Sequence, residues 1–573
     1  MQTQERAWNF PTASSDLSLE LGRLLGVSRL VSDVMVSRGI REEGSGRKFL
    51  EPDTGDLLDP FLFPSMEQAC ERVHQAVREQ ESVVVYGDYD VDGMTASTIL
   101  FWVLKKLGAR VEVFIPDRQS AGYGLNCDAI RQLREGGASL LITVDNGVSA
   151  TAEIAYAVSL GVSVIVTDHH TLPDKLPEHA ILLHPRIPGR EYPFPHLCGA
   201  GVAYKFGLAL LSTSQVEGRE DVRERFARNC LDVVAIGTVA DMVPLVGENR
   251  ILVREGLRQL ARTEHPGLRA LLGLERLVGQ RLTVDHIGFK ICPKLNSAGR
   301  IDDHRVSLNL LMARDVAAAG RLALRLAAIN HERIRLVTEL MKVALDQAPA
   351  WADRALPVVV LPTDKKGLVG LVAQRLKDSF HKPFLVLASN GATATGSGRS
   401  VDGFDLVAAL ETQRDRLVRF GGHAMAVGFT IEVSRVNAFA DALAEYSADR
   451  LRTRPDAPPL ELSAVLGAES LTQQTLQELD RLAPFGQGNP SPLLALCRLP
   501  VARAERIGDG KHVRLESPAL PRDVKNVGFN LSEEVERALK AASCLDVAFH
   551  FELDNWNGRE NLQMRLQAVR PSM

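Results

Sequence analysis

No apolar run in this chain reaches the ~18–20 residues needed to cross a bilayer. The best candidate, 96–104, stops at Lys105 and Lys106. The first ten residues, MQTQERAWNF, lack a basic stretch followed by an apolar one and do not read as a secretory signal. None of the seven Cys forms a C-x-x-C pair. That argues against a disulfide framework or a thiolate zinc site, and for a reducing, cytoplasmic setting. Gly and Pro show no three-residue period, which excludes a collagen-like fibre. A positive charge excess is missing too: the net charge is −4, so the surface as a whole is no electrostatic glove for nucleic acid. Only 15 of the 67 basic residues are Lys. Arginine's planar fork suits bidentate phosphate contacts, so individual arginines have to be argued one by one.

What is present is an ordinary folded composition over 573 residues, 45% hydrophobic and 24% charged. That length accommodates about three to five domains. Residues 1–80 carry little pattern and read as a helical and loop segment. From Ser82 onward, short β-branched runs (82–86, 111–116, 140–144, 162–167) alternate with helical stretches. This predicts an α/β domain, 81–305, built on a parallel sheet covered on both faces. Residues 306–348 read as a connecting helix, one long helix or two in line. A smaller α/β domain follows at 349–452, with strands at 356–361 and 383–388, a helix at 369–380 and a Gly/Ser-rich turn at 394–400. Residues 453–459 read as a linker. The remainder, 460–573, offers five strand candidates, turns at 508–511 and 555–560, and one helix after the third strand, the element order of an OB-like β-barrel.

Chemistry concentrates after the strands of the first domain. GDYDVDG (87–93) sets three carboxylates at alternate positions, an arrangement that needs a cation to offset it. It is not an EF-hand, because the twelfth position is Ile99 where a bidentate Glu is required. Asp145 ends the third strand and the Asp168-His169-His170 triplet ends the fourth. In open α/β sheets, ligands collect at the carboxyl ends of strands. Asp90, Asp92, Asp145 and His169 are therefore aimed at one crevice, to which Asp241 could add a carboxylate. Such a donor set suits Mg²⁺ or Mn²⁺ rather than zinc. Two ions can clamp the attacking and leaving oxygens of a phosphoryl displacement, with Asp145, on the central strand, the candidate bridge.

YGDYDVDG, VDNG, TDHH and GTVAD, in this order, resemble the four signature motifs of the DHH phosphoesterase superfamily. GGHAMAVG (421–428) is similar to the glycine-histidine motif of its companion DHHA1 domain. LNSAGRIDD (295–303), PFGQGNPSP (484–492) and the C-terminal barrel narrow the likeness to the superfamily's bacterial single-strand-specific DNA exonucleases. The resemblance implies 5′→3′ hydrolysis of single-stranded DNA to mononucleotides with two Mg²⁺ or Mn²⁺ ions, in recombination and repair. It puts the metal ligands on Asp90, Asp92, Asp145, His169 and Asp241. Asp88 and His170 become catalytic groups, the first positioning water or metal and the second facing the scissile phosphate. Arg118, Arg300, Ser397 and Arg399 would grip a terminal 5′-phosphate, and Gly421, Gly422 and His423 would contact the nucleotide. Some superfamily members carry a His four residues before the first ligand; Tyr86 stands there, so that nitrogen is absent.

The implied partners are single-stranded DNA, a single-strand-binding protein and a helicase of the repair machinery. The expected state is a cytoplasmic monomer with no membrane contact. Two other readings stay open at this point: a DHH phosphoesterase of short oligonucleotides or cyclic dinucleotides, and a non-catalytic single-strand-binding protein. The barrel is not basic overall, so its case for binding DNA rests on local stripes such as Arg503, Arg506, Lys511 and Arg514.

Overall fold

Strands β1 (Ser82–Gly87), β2 (Arg110–Phe114), β3 (Ala138–Val144), β4 (Ser163–Thr167) and β5 (Ile181–Leu183) form one parallel sheet in the order β2-β1-β3-β4-β5. Their β-branched runs are buried on both faces, with Val83, Val84, Val85 and Ile142 fully inaccessible, as the alternation of strand and helix required. The order reverses between β1 and β3, so the loops leaving those two strands flank a crevice. A computed structural model provides this description and covers residues 6–11, 16–116, 124–389, 391–451, 459–554 and 561–572. The chain divides into two units, Leu57–Pro244 with Glu248–Pro455, and Met1–Asp56 with Leu245–Gly247 and Asp456–Met573.

In the larger unit, helices α1 (Val91–Lys106), α2 (Gly199–Ser212) and α3 (Leu231–Ala240) are mutually packed and almost wholly buried. Gly237 makes their closest approach possible. A Cβ there would lie 2.5 Å from Thr95 Oγ1 and 2.8 Å from Asp92 Oδ1, distances no real side chain tolerates. Helix α4 (Cys292–Ile301) leads into α5 (Arg305–Leu311) and the 31-residue α6 (Val316–Asp346). The expected connecting helix is thus two helices. Asp315 separates them because its carboxylate accepts the Ala318 N–H at 2.6 Å and starts α6 afresh. At 1.5 Å per residue, α6 alone spans about 46 Å.

The second sheet contains β6 (Val358–Leu361), β7 (Phe384–Ser389), β8 (Thr393–Arg399), β9 (Leu417–His423) and β10 (Ala426–Glu432), in the order β9-β10-β8-β7-β6. Helix α7 (Val369–Phe380) packs on β7 and β8. Here the structure corrects the sequence reading: ATGSGRS is no turn but β8, the middle strand. Its glycines face large neighbours. A Cβ on Gly396 would fall 2.2 Å from the Phe429 ring, and one on Gly398 would fall 2.5 Å from Leu385. Small residues here make room for side chains from flanking strands.

In the smaller unit, β11 (Ala464–Val465), β12 (Leu494–Pro500), β13 (Arg503–Ile507), β14 (His512–Glu516), β15 (Val524–Gly528), β16 (Cys544–Asp554) and β17 (Asn561–Pro571) form one sheet, in the order β11-β12-β16-β17-β15-β14-β13. The first strand candidate is two strands, and helix α8 (Ser532–Ala541) follows β15 as expected. Two helices of the N-terminal segment, Asp16–Leu25 and Arg29–Ser37, share this unit's core: Leu21, Val31, Val34 and Met35 pack in one cluster with Leu496, Val547 and Phe549. The sequence had set residues 1–80 apart; the structure joins residues 1–56 to the C-terminal unit. The proposed linker, except Pro459, and the turn at 555–560 lie outside the described residues. Among the described residues no helix is long and apolar enough to cross a membrane.

Candidate metal centre and phosphate-binding residues

The loop from β1 enters α1 through Asp90, whose carboxylate caps the helix by accepting the Gly93 N–H at 3.0 Å. Asp92, in the first turn, accepts the N–H groups of Gly199 (2.6 Å) and Ala200 (2.9 Å), the first two residues of α2. Two helix N-termini therefore point at these carboxylates, an environment that favours negative charge. Asp145 follows β3 with a left-handed backbone, φ 62°, and is 2% exposed. Its loop is pinned on both sides. The Asp145 N–H donates to Thr167 O at 3.0 Å, and Asn146 Nδ2 donates to Tyr86 O and Val144 O. The carboxylate is thereby delivered to the crevice at a fixed place.

His169 lies among the carboxylates, its Nε2 3.0 Å from Asp145 Oδ1, 3.6 Å from Asp241 Oδ2 and 3.8 Å from Asp92 Oδ2. Asp241 follows the last residue of α3. Three overlapping groups result, with donor atoms within 4.8 Å of one another: Asp145, His169 and His170; Asp92, His169 and Asp241; Asp88, Asp90 and Asp145. All seven residues expected from the sequence to act in metal binding or catalysis are brought together here.

The electrostatics fit divalent cations. Burial, then the charges of Asp92, Asp90, Asp241 and Asp88, push the Asp145 carboxyl well above the usual range. Burial and the Asp90 charge raise Asp92 to about 6, and burial with Asp92 and Asp90 raises Asp241 to about 8. His169 is lowered to about 3 by burial and the neighbouring His170, which keeps its ring neutral and able to bind metal. Carboxylates that repel one another around a neutral imidazole form a site that cations stabilise. The oxygen-rich donor set matches Mg²⁺ or Mn²⁺.

Sequence reasoning passed over three residues here. Asp168, 1% exposed, accepts the Val148 N–H through Oδ2 and the His169 and His170 N–H groups through Oδ1, which also lies 2.8 Å from His170 Nδ1. Burial would raise its carboxyl, but the His170 hydrogen bond and charge hold it well below the usual range. Burial lowers His170, yet the Asp168 hydrogen bond and charge outweigh it and lift the imidazole to about 9. His184 donates through Nε2 to His170 O at 2.8 Å, and the Arg186 guanidinium donates to the His169 carbonyl. The Asp168-x-His170 spacing lets one buried carboxylate hold the ring two residues on. Tyr86 does not stand in for a ligand: its hydroxyl donates to Gly124 O at 3.1 Å.

Of the expected phosphate-gripping residues, Arg118 lies outside the described residues. The other three surround one segment, 366–370. Arg300, at the end of α4, donates to Gly367 O at 3.1 Å. Ser397 and Arg399, alternate residues of β8, are joined at 3.1 Å and lie against Gly370, where a Cβ would meet them at 3.1 and 3.2 Å. Gly421, Gly422 and His423 are exposed on the edge strand β9, just before its hairpin to β10. None of these residues belongs to the three donor groups of the Asp/His cluster.

The chain matches the DHH family N-terminal domain over residues 82–238, the DHHA1 domain over 357–449 and the RecJ OB domain over 462–568. The fold and the site thus have the features of a DHH phosphoesterase with its companion domain. The chain is 34% identical to the single-stranded-DNA-specific exonuclease RecJ of Bacillus subtilis (strain 168), over 99% of this chain and 71% of that protein. It is also 34% identical to RecJ of Escherichia coli (strain K12), over 84% of each. The crystal structure of RecJ from Thermus thermophilus in complex with Mn²⁺ is similar at TM-score 0.84 and 28% identity, covering 100% of this chain and 80% of that one. The chain belongs to the RecJ family.

Proposed function

We propose that this protein is a metal-dependent exonuclease that hydrolyses single-stranded DNA from 5′ ends. The observation that carries the reading is the convergence of Asp88, Asp90, Asp92, Asp145, His169 and His170, from the ends of three adjacent parallel strands, with Asp241 from the end of α3. Exonucleases of the same family, similar over nearly the whole chain, support it, and two related structures hold Mn²⁺ and Mg²⁺. Asp90, Asp92, Asp145, His169 and Asp241 would hold the ions, with Asp88 beside them. Bound divalent cations would neutralise charge on the phosphoryl oxygens. His170, cationic below about pH 9, offers a proton donor to the scissile phosphate, and Asp168 fixes its ring. An enzyme that starts at ends needs opened strands, so a helicase and a single-strand-binding protein are the proposed partners.

Polarity cannot come from the metals, to which every phosphodiester looks alike. It has to come from a group that rewards one end. Arg300, Ser397 and Arg399 offer fork and hydroxyl donors to a terminal phosphate, which carries up to one more negative charge than an internal one. A 5′-phosphorylated strand is therefore expected to be degraded in preference to a 5′-hydroxyl strand. Arg399→Ala should shrink that preference by about ten- to hundredfold in kcat/KM, since a charge-assisted contact is worth roughly 1.5–3 kcal/mol. The loss should appear mainly in KM, because a terminal grip is ground-state binding. Both substrates on both proteins measure it. An undiminished preference in Arg399→Ala would put the grip elsewhere, and degradation beginning at 3′ ends would remove the polarity argument.

A further inference from the structure

Residues His286–Ile291 form a π-helix that runs directly into α4. An extra residue per turn is rare in a helix and is found frequently at functional sites. This one packs on α3, the helix that ends at Asp241. Cys292 Sγ lies 3.9 Å from Ile236 O, and a Cβ on Gly288 would lie 4.0 Å from Val239. The two segments therefore run antiparallel, and the π-helix approaches the end of α3 that carries Asp241. Two large apolar side chains of these segments stand in water. Phe289 is 78% exposed, and Met242, the residue after Asp241, is 72% exposed on a left-handed backbone with φ 57°. Phe289 has no ring or cation contact with any other described residue.

An exposed Phe on an irregular helix packed against the helix that ends at Asp241 does nothing for the fold, which would gain by burying it. Carboxylates hold the reacting phosphate end of a nucleotide only through cations, and they offer nothing to its base. An exposed aromatic on a segment packed against α3 supplies what the carboxylates lack. We propose that Phe289 is a stacking platform for a nucleobase of the bound single strand, near the Asp/His cluster. The inference rests on the single-strand exonuclease reading and names a positioning residue within it. Stacking on an aromatic face is tolerant of base identity, so the platform would grip without reading sequence.

The test uses the full chain, Mn²⁺ and 5′-phosphorylated single strands carrying one abasic nucleotide, moved a position at a time from the 5′ end. Stacking of one base accounts for about a five- to hundredfold effect. In the wild type, one abasic position should therefore raise KM by that factor. In Phe289→Ala, KM on intact strands should rise by the same factor, and the abasic penalty at that position should vanish, with kcat nearly unchanged. Phe289→Trp should restore both the affinity and the abasic penalty. If wild type and Phe289→Ala pay the same abasic penalty at every position, the platform is elsewhere while the exonuclease reading stands. If the wild type fails to degrade intact single strands at all, the functional reading itself fails.

Discussion

Asp145→Asn is expected to lower kcat/KM on single-stranded DNA by at least about a thousandfold, which is ~4 kcal/mol of barrier. Asp145 belongs to two of the three donor groups, so one neutral amide weakens both. Asn is the right substitution because it tolerates the left-handed backbone at this position, where Ala would add strain of about 1–2 kcal/mol. The variant also makes a prediction that activity does not touch. Without metal, the carboxyls of Asp92, Asp145 and Asp241 are raised above their ordinary values. A raised carboxyl contributes stability that is complete below its unfolded value and is lost as pH rises through its folded value. Metal-free wild type should therefore lose thermal stability between about pH 4 and pH 8, and saturating Mn²⁺ should restore it. Asp145→Asn should show a shallower loss with pH in EDTA, no lower Tm at pH 8, and a much smaller gain on adding Mn²⁺. An active variant, or one with an undiminished Mn²⁺ gain, would remove Asp145 from the centre.

Asp168→Asn is the second large effect. The substitution keeps shape but removes the charge that lifts His170 to about 9, so burial should bring that imidazole to or below its ordinary value. The expected result is a loss in kcat of about a hundredfold or more, the usual scale for a misplaced acid–base group, with KM little changed. The alkaline limb of the pH–rate profile should move from about 9 toward neutrality. The stability signs are opposite for the two partners. His170, raised, contributes fully below its ordinary value of about 6.5 and loses its contribution as pH rises through about 9. Asp168, depressed, contributes above the ordinary carboxylate value and loses its contribution as pH falls below it. The amide also turns a donor toward the Val148 N–H, which Asp168 Oδ2 now accepts at 2.9 Å, so a cost of roughly 1–3 kcal/mol in stability accompanies the kinetic loss. His170→Ala should match the loss in kcat, and the double variant should be no slower, because the two side chains act as a unit. A profile that keeps its alkaline limb in Asp168→Asn would assign the proton to another group.

The Asp/His cluster was legible because most of its residues sit at strand ends. Parallel strands announce themselves as β-branched runs, and the loops after them have one common side. Asp90, Asp92, Asp145 and His169 could therefore be grouped before any coordinates. Asp168 was not, because a carboxylate that works by accepting backbone N–H groups and holding a ring leaves no pattern different from a turn. Strand β8 was misread for the opposite reason. Its glycines signal flexibility locally, but here they serve as space for the Phe429 ring. The N-terminal helices show a third limit. Leu21, Val31 and Met35 have ordinary amphipathic spacing, and nothing in it says that their partners lie more than 400 residues later, among them Leu496 and Phe549. Cutting the chain after the second sheet would therefore not separate a clean core. It would leave those side chains without the residues that cover them. The π-helix at His286–Ile291 is similarly silent in the sequence, because one extra residue per turn shifts a helical pattern by less than a short segment can reveal.

The proposed function makes the Asp/His cluster a two-ion centre that hydrolyses single strands from the 5′ end. The most direct test strips the full chain of metal, titrates it with Mn²⁺, and counts bound ions by electron paramagnetic resonance. The same samples are assayed on matched 5′- and 3′-labelled strands. Two ions per chain are expected, with activity that rises with their occupancy, the 5′ label released first and the interior of the strand following. Hydrolysis by the metal-stripped chain in EDTA, or full activity with no Mn²⁺ held by the cluster, would contradict it.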